Sequence, residues 1–272
     1  MIRITSHKKY NFSVKDVSDV YAGPGGKLWE LLMGEHIHVG GMEQNDYLAK
    51  KLGMESGGKD MFILDICSAL GGPARYLAEN YSVKVVGLDI TLEMINEARK
   101  RTDNTPYANL IEFRLGSALD IPAHNEAFDI VWGQDAWCYI RDKSRLIQEV
   151  ERVLKPGGKV GFSDWIWGPK DAPEMEADYL MEFMVFPDME TLDGYEQLIT
   201  STKMELIEKE DLGNHFAESM DSYLEILKEN KQNIAASFGE DLYSEAEKGI
   251  LAWQKAAHNN WVSRGLWIGN KP

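Results

Sequence analysis

Two short apolar runs, each carrying an aspartate near its end, constrain the fold of this chain more than any other feature. The first run, MFILDI, covers residues 61–66, and the second, VKVVGLDI, covers residues 83–90. Small residues from 67 to 72 and a helical stretch at 73–80 lie between them, and a second helical stretch, 91–101, follows. Strands that alternate with helices of this length predict a parallel sheet with helices on both of its faces.

The alternation continues along the chain and gives seven strands in total. The further strands are predicted at 110–115, 128–133, 159–165, 204–209 and 263–270, and the further helices at 143–154, 193–201, 217–233 and 242–258. We therefore predict an α/β fold with a doubly wound, mostly parallel, seven-stranded sheet. Ligands of such sheets bind outside the carboxyl ends of the strands, so residues 65–72, Asp89, Ser117 and residues 134–139 should share one edge.

Two segments do not follow this alternation. Residues 1–58 precede the first core strand and are predicted to form an N-terminal helical cap, and residues 59–272 form the α/β domain. An acidic insertion rich in methionine and aromatic residues, at about 170–192, interrupts that domain after its fifth strand. We expect the cap and the insertion to lie over the ligand edge as a lid.

Charge and composition exclude several classes of protein. The chain has 44 acidic and 29 basic residues and a formal net charge of −15, which repels nucleic acid and anionic membranes. No run approaches the roughly 18 apolar residues of a membrane helix, and no signal-peptide core is seen, so we expect a cytoplasmic protein. The acid excess is typical either of simple solubility or of a salty cytoplasm. Cys67 and Cys138 lack metal-site spacing, so no metal or disulfide framework is predicted.

The loop after the first strand predicts a nucleotide-like ligand other than a dinucleotide. A dinucleotide fold needs the pattern GxGxxG here, whereas Cys67, Ala69 and Gly72 occupy the three glycine positions. Asp89, at the end of the second strand, is placed to accept hydrogen bonds from both hydroxyls of a ribose. The alternative for Asp89 is an N-cap of the helix that begins near Thr91.

Five motifs in order resemble the class I methyltransferase family: LDICSALGG, GLDI, GSALDIP, FDIVWGQDAW and LKPGGKVGFSDW, over roughly residues 60–168. The resemblance implies a Rossmann-like domain and S-adenosyl-L-methionine as cofactor, with S-adenosyl-L-homocysteine as product. It implies that the methionine part is held by Asp65 and the loop to Gly72, and the ribose by Asp89, with Ile90, Ser117 and Ala118 near the adenine. The cofactor residues so implied are Asp65, Cys67, Ser68, Ala69, Gly71, Asp89, Ile90, Ser117, Ala118 and Gln134. The chain departs from the usual pattern at Cys67 and Ala69, where glycines are common, and at Ser117, where an acid is common.

Segments outside these motifs resemble a narrower group. LWELLMGEHIHVGG and GILAWQKAAHNNWVSRGLW are similar to segments of phosphoethanolamine methyltransferases and of sarcosine/dimethylglycine N-methyltransferases, which make glycine betaine. The GExIHVG part and the Gln-Asp pair in WGQDAW resemble the sarcosine/dimethylglycine group more closely. That group usually has a histidine at the position of Tyr139 and often an asparagine at the position of Asp89. A phosphate dianion needs charge-assisted donors, and residues 171–199 contain no Lys or Arg.

The resemblance and the residue chemistry together nominate the residues for methyl transfer to a small amine. Tyr21, beside three glycines, matches a lid tyrosine of the phosphoethanolamine methyltransferases. His38 is the candidate base. Asp135 would orient the amine, and Tyr139 would donate a hydrogen bond. Aromatic faces attract alkylated ammonium groups, and the aromatic residues predicted to contact substrate are Trp29, Trp165, Tyr179 and Phe186. A substrate carboxylate could be held by any of four cations, namely Arg75, Arg141, Lys170 and Lys255.

Other interpretations stay open from the sequence. The acceptor could be phosphoethanolamine, another amino acid, or a small thiol or hydroxyl compound. The fold could also serve a silent cofactor-binding scaffold or a redox enzyme. A homo-oligomer is compatible with the sequence.

Overall fold

A twisted sheet forms the centre of the chain, within residues 9–54 and 60–272, which the computed structural model describes. Its strands are β1 (Phe62–Ile66), β2 (Lys84–Asp89), β3 (Ile111–Leu115), β4 (Phe128–Gln134), β5 (Leu154–Trp167), β6 (Glu190–Thr191), β7 (Glu205–Asp211) and β8 (Val262–Asn270). The order is β3-β2-β1-β4-β5-β8-β7, and the short β6 pairs with β5. Only β8 among these strands runs antiparallel to its neighbours, β5 and β7. The predicted doubly wound, mostly parallel sheet of seven main strands is confirmed.

Helices connect the strands and precede the first of them. The α-helices in the described ranges are α1 (Val14–Ala22), α2 (Pro24–Met33), α3 (Gly41–Lys51), α4 (Gly72–Tyr81), α5 (Leu92–Thr102), α6 (Lys143–Val153), α7 (Glu174–Met184), α8 (Leu192–Thr200), α9 (Gly213–Glu229), α10 (Lys231–Phe238) and α11 (Glu240–His258). The predicted boundary between cap and domain, at residues 58 and 59, lies outside the described residues. None of the helices described is both long enough and apolar enough to span a membrane.

The structure corrects two predicted boundaries. The fifth strand begins at Leu154 instead of residue 159, because residues 155–158 bulge while the strand stays paired with β4 on both sides of them. The two predicted C-terminal helices, 217–233 and 242–258, are three helices instead. Asn230 separates the first two, since both its backbone N–H and its side-chain amide bond the Ile226 carbonyl (3.0 and 2.9 Å).

Both faces of the sheet are covered, as a doubly wound fold requires. Successive residues of β1 point to opposite faces: Ile63 belongs to the same core as Leu77 of α4 and Ile95 of α5. Leu64 belongs to a core on the other face with Leu146 of α6. All five side chains are buried, and each contributes about 1.5–3 kcal/mol to stability through the burial of its apolar surface.

A third core lies beyond the carboxyl ends of β4 and β5 and joins the cap to the C-terminal helices. Its centre is an aromatic group in which Trp165 packs edge-on against Phe186 (5.7 Å between ring centroids), Phe216 (4.9 Å) and Trp253 (4.8 Å). We call these four residues the aromatic cluster. Because they come from β5, the insertion, α9 and α11, the cluster fixes the insertion and the C-terminal helices against the functional edge of the sheet.

Candidate active site

A cavity of about 240 Å³ opens at the carboxyl edge of the sheet. Its wall is made by the loops that follow β1, β2, β3 and β4, by α1 and the residues just before it, and by Pro187 of the insertion. These are the loops that the strand pattern predicted to share one edge. Of the cofactor residues nominated from sequence, all but Gly71 line this cavity.

The loop after β1 is shaped by residues in the left-handed backbone region. Cys67 (φ 63°), Ala69 (φ 44°) and Gly71 (φ 74°) all have positive φ. This explains why glycine is common there, since a side chain in this region costs roughly 1–2 kcal/mol. Gly71 packs away from the cavity, and a Cβ at this position would come within 2.5 Å of the Phe113 ring. Gly71 therefore shapes the loop and does not line the cavity.

Asp89 ties this loop to the second strand. Its Oδ2 accepts a hydrogen bond from the Ala69 N–H (2.9 Å) and its Oδ1 from the Thr91 N–H (2.9 Å). Burial raises the pKa of the Asp89 carboxyl. A carboxylate has about four acceptor positions, so two remain for the hydroxyls of a ligand. Both interpretations of Asp89 from sequence fit this geometry, since it bonds the start of α5 and also faces the cavity.

Three polar atoms of the cavity wall are buried and have no hydrogen-bond partner among the residues that the structure describes: Asp65 Oδ2, Ser68 Oγ and Gln134 Nε2. Burial, and next the charge of Asp89, raise the pKa of Asp65. The Gln134 amide is fixed because its Oε1 accepts from Trp132 Nε1 (3.1 Å), which leaves its NH₂ group as a free donor. Unpartnered buried polar atoms cost roughly 1–3 kcal/mol each unless a ligand bonds them. The wall is therefore built for a ligand with both donors and acceptors.

Two tyrosines meet across the cavity. The hydroxyls of Tyr21, from α1, and Tyr139 are 2.8 Å apart, and their rings pack edge to face. Burial raises the pKa of both hydroxyls, so both remain protonated at neutral pH. Tyr139 also packs on Phe186 (4.8 Å between ring centroids), so the aromatic cluster supports it from behind.

Asp135 lines the cavity, but other groups of the protein already donate hydrogen bonds to its carboxylate. It accepts from Arg264 Nε (2.8 and 3.0 Å), Ser163 Oγ (3.0 Å) and the Val39 N–H (2.8 Å). Arg264, fully buried on β8, also donates to Gln44 Oε1 (2.7 Å) and Ser163 Oγ (2.7 Å). Sequence reasoning missed Arg264, although an arginine inside the predicted last strand is a signal that could have found it.

His38 lies behind the wall, whereas His36 lines it. The His38 Nε2 is 2.9 Å from Asn45 Oδ1, and Asn45 Nδ2 is 3.0 Å from His36 Nδ1, so the three side chains form one chain of hydrogen bonds. Burial lowers the pKa of His38 to about 4 and also lowers that of His36. Both rings are therefore neutral at pH 7, and Asn45 links the buried His38 to His36 at the cavity.

The four nominated aromatic residues do not line the cavity. Trp165 and Phe186 are buried in the aromatic cluster. Trp29 and Tyr179 both pack on Phe183, with 6.2 and 6.4 Å between ring centroids. Residues that line the cavity and were not nominated include Phe12, His36, Ile37, Thr91 and Pro187.

Of the four candidate cations, Arg141 lines the cavity and the other three do not. Arg75 is buried and pairs with Glu35, and Lys255 pairs with Glu176 (2.7 Å). Lys170 is exposed to solvent. The structure thus brings one of the four candidates to the cavity.

Several known proteins to which this chain is similar are methyltransferases. Residues 64–162 match the family model described as a methyltransferase domain. The chain is 30% identical, over 75% of its length, to the glycine/sarcosine/dimethylglycine N-methyltransferase of Actinopolyspora halophila, and covers 36% of that protein. It is 28% identical, over 89% of its length, to a phosphoethanolamine N-methyltransferase of Triticum aestivum, and covers 47% of it. The chain therefore spans between a third and a half of the length of these relatives.

A solved structure matches nearly the whole chain. Phosphoethanolamine N-methyltransferase 2 of Haemonchus contortus, in complex with S-adenosyl-L-methionine, superposes with a TM-score of 0.85 at 24% identity, over 94% of this chain and 60% of that one. The likeness extends the family fold beyond the matched domain, through the cap and the C-terminal helices.

Proposed function

We propose that this chain, which has the class I methyltransferase fold and a methyltransferase domain over residues 64–162, is an S-adenosylmethionine-dependent N-methyltransferase of small amines. One observation carries the proposal. Three unpartnered buried polar atoms, on Asp65, Ser68 and Gln134, lie in the wall of the cavity that Asp89 also lines. The carboxyl edge of a parallel sheet is where such a fold binds its ligand.

The residues present fit the cofactor. The Asp65 carboxylate and the loop of Cys67, Ser68 and Ala69 would hold the methionine part, whose ammonium group would give Asp65 the donor it lacks. Asp89 would accept from the ribose hydroxyls. Ile90, Ser117 and Ala118 would pack around the adenine, and Gln134 would donate its free NH₂ group. When bound, S-adenosylmethionine supplies an electrophilic methyl group and leaves as S-adenosylhomocysteine.

The acceptor that we favour is sarcosine or dimethylglycine, methylated towards glycine betaine. Two observations support this choice. The Actinopolyspora relative is a glycine/sarcosine/dimethylglycine N-methyltransferase. The Gln134-Asp135 pair resembles the sarcosine/dimethylglycine group. Phosphoethanolamine is the second candidate, because the similarity to the phosphoethanolamine N-methyltransferase of Triticum aestivum covers more of the chain than the similarity to the Actinopolyspora relative does. A phosphate dianion in a closed site requires several charge-assisted donors, and residues 171–199 supply no Lys or Arg.

The chain's own residues position the amine and exclude water. An ammonium must lose one proton to solvent before its nitrogen can attack; His36 in the wall does not take it, because its Nδ1 already accepts from Asn45 Nδ2 and its neutral ring carries its own proton on Nε2. Tyr21 and Tyr139 keep their protons, so they hydrogen-bond the amine and are not its base. Holding both reactants in line supplies about 7–11 kcal/mol in favourable cases, and α1 closes the site against water.

Asp135 and His38 are positioning residues in this mechanism. Asp135 holds the Val39 backbone and Arg264, and His38 orients His36 through Asn45. Direct contact of the acceptor with Trp29, Trp165, Tyr179 or Phe186 stays a prediction, as do the lid function of the cap and insertion, the cytoplasmic location and a homo-oligomer.

Substitution of Asp89 tests the cofactor site. Asp89→Ala removes two charged acceptor positions, each worth about 1.5–3 kcal/mol, and should weaken S-adenosylhomocysteine binding by about 100-fold or more in calorimetry. Asp103→Ala, an exposed acid after α5, is the matched control and should bind as the wild type does. Unchanged affinity in the Asp89 variant would contradict the assignment of the ribose site.

An initial-rate panel tests the acceptor. Labelled S-adenosylmethionine is offered with glycine, sarcosine, dimethylglycine, phosphoethanolamine, and small thiols and alcohols, at low and high salt. Turnover of sarcosine or dimethylglycine alone supports the proposal, and turnover of phosphoethanolamine alone replaces it with the second candidate. Cofactor binding without turnover of any amine refutes the N-methyltransferase assignment.

A further inference from the structure

The charged groups in the cavity wall are distributed unevenly. Three carboxylates line it, those of Asp65, Asp89 and Asp135, and the last is neutralised by Arg264. Among the described residues, Arg141 is the only Lys or Arg that lines the cavity. The wall therefore presents net negative charge at the first two strand ends and a single positive group in the loop after β4.

The guanidinium of Arg141 bonds neutral oxygens only, among the residues that the structure describes. Its Nη2 donates to the Tyr10 carbonyl, and the Asn11 Oδ1 lies 3.5 Å from both terminal nitrogens. Asp188, which follows the cavity-lining Pro187, pairs instead with Lys9 (3.0 Å) and Lys143 (3.6 Å). A guanidinium has five N–H donors, so Arg141 keeps donors for a further acceptor. Arg141 is exposed to solvent at the cavity, so its guanidinium is accessible to an anion that enters from outside the chain.

The neighbours of Arg141 also line the cavity. Tyr139 stands two residues before it, and the Tyr139 hydroxyl meets that of Tyr21 at 2.8 Å. Phe12 and Pro187 complete this part of the wall. No cofactor motif accounts for these residues, so this part of the cavity is available to the acceptor. An acceptor that reaches from the tyrosine hydroxyls to Arg141 has an amine at one end and an anion at the other.

We propose that Arg141 binds the carboxylate of the methyl acceptor and thereby selects a zwitterionic amino acid with a short spacing between amine and carboxylate. The inference rests on the proposed N-methyltransferase function and names the residue that determines its acceptor class. One planar guanidinium matches one carboxylate through two parallel hydrogen bonds. A phosphate dianion would leave one of its charges without a cation, since no second Lys or Arg of the described residues faces the cavity.

The test compares acceptors that differ only in the anionic end. Dimethylglycine, N,N-dimethylethanolamine and phosphorylated dimethylethanolamine carry the same tertiary amine with a carboxylate, a hydroxyl or a phosphate. Arg141→Gln removes the charge, Arg141→Lys retains it, and Lys100→Gln is a control for the loss of one exposed positive charge far from the cavity. Each variant is measured by initial rates and by calorimetric titration of the acceptor into the complex of the enzyme with S-adenosylhomocysteine.

We expect Arg141→Gln to raise KM and Kd for dimethylglycine about tenfold, since it removes a charge-assisted, two-point hydrogen bond to the acceptor carboxylate. Arg141→Lys should recover part of this loss because it keeps the charge. Rates with dimethylethanolamine and the affinity for S-adenosylhomocysteine should not change. An equal loss with all three acceptors, no loss, or a loss confined to the phosphate compound would overturn the proposal.

The titration separates this proposal from the proposed function. If the wild type binds dimethylglycine through Arg141 but transfers no methyl group, the N-methyltransferase assignment fails and the anion site stands. If the wild type methylates dimethylglycine and Arg141→Gln does so with unchanged KM and Kd, the anion site fails and the enzyme assignment stands. If the wild-type complex does not bind dimethylglycine, the anion site is refuted directly.

Discussion

Replacement of Arg264 by methionine should be among the most damaging single changes in this chain. Arg264 is completely buried and donates to Asp135, Gln44 and Ser163. Methionine fills similar space, so the main loss is electrostatic: the buried Asp135 carboxylate keeps its charge without a counter-charge. Breaking a buried pair in this way costs about 3–5 kcal/mol, against a total stability of about 5–15 kcal/mol for a typical domain.

Urea denaturation followed by circular dichroism measures this loss. The matched control is Arg114→Met, which breaks the exposed pair of Arg114 with Glu112 (2.7 Å) and should cost less than about 1 kcal/mol. The double variant Arg264→Met/Asp135→Asn removes both buried charges, so it should lose less than the two single losses added together. If Arg264→Met stays within about 1 kcal/mol of wild type, as the control does, the buried pair is not what holds this wall.

Two further predictions follow from backbone conformation and from burial. Because Ala69 has φ 44°, Ala69→Gly should leave the free energy of unfolding unchanged or raise it by up to about 1 kcal/mol. The control Ala236→Gly, on the exposed side of α10, should lower it by about 1 kcal/mol. A clear loss of stability at both positions in urea denaturation would show that the loop is unstrained. The folded-state pKa of His38, about 4, lies below its unfolded value of 6.5, so its stabilisation is complete above pH 6.5 and about 3 kcal/mol of it is lost as the pH falls to 4. His38→Gln should lose correspondingly less stability than wild type between pH 7 and pH 4, and parallel pH profiles for the two proteins would contradict the buried neutral ring.

The repeating elements of this fold could be predicted because they follow local patterns. The strands β1 to β4 lie within a residue of their predicted bounds, since buried parallel strands are continuous apolar runs bounded by turn residues. The cavity residues of the first four loops were found for the same reason: the carboxyl ends of adjacent parallel strands must meet. The break at Asn230 could not be found, because helical periodicity continues across it.

The polar partners of the wall could not be predicted because they join distant parts of the chain. Asp135 and Arg264 are separated by 129 positions, and only the pairing of β5 with β8 brings them together. That His36 lines the cavity and His38 does not has a local reason. Ile37 between them has φ 48°, a left-handed conformation that no helical or strand period describes. This turn sends the first ring to the cavity and the second into the interior.

The position of β8 in the sheet has a consequence for how the protein is made. This strand carries Arg264 and lies between β5 and β7, yet it follows both of them in the chain. During translation the earlier strands can pair first, but the edge of β5 stays open and Asp135 stays without its counter-charge until Arg264 has left the ribosome. A nascent chain arrested before that point would already contain every residue of the cavity wall, but it would lack the strand that fixes the wall in place. The binding site is thus completed only after β8 has been synthesised.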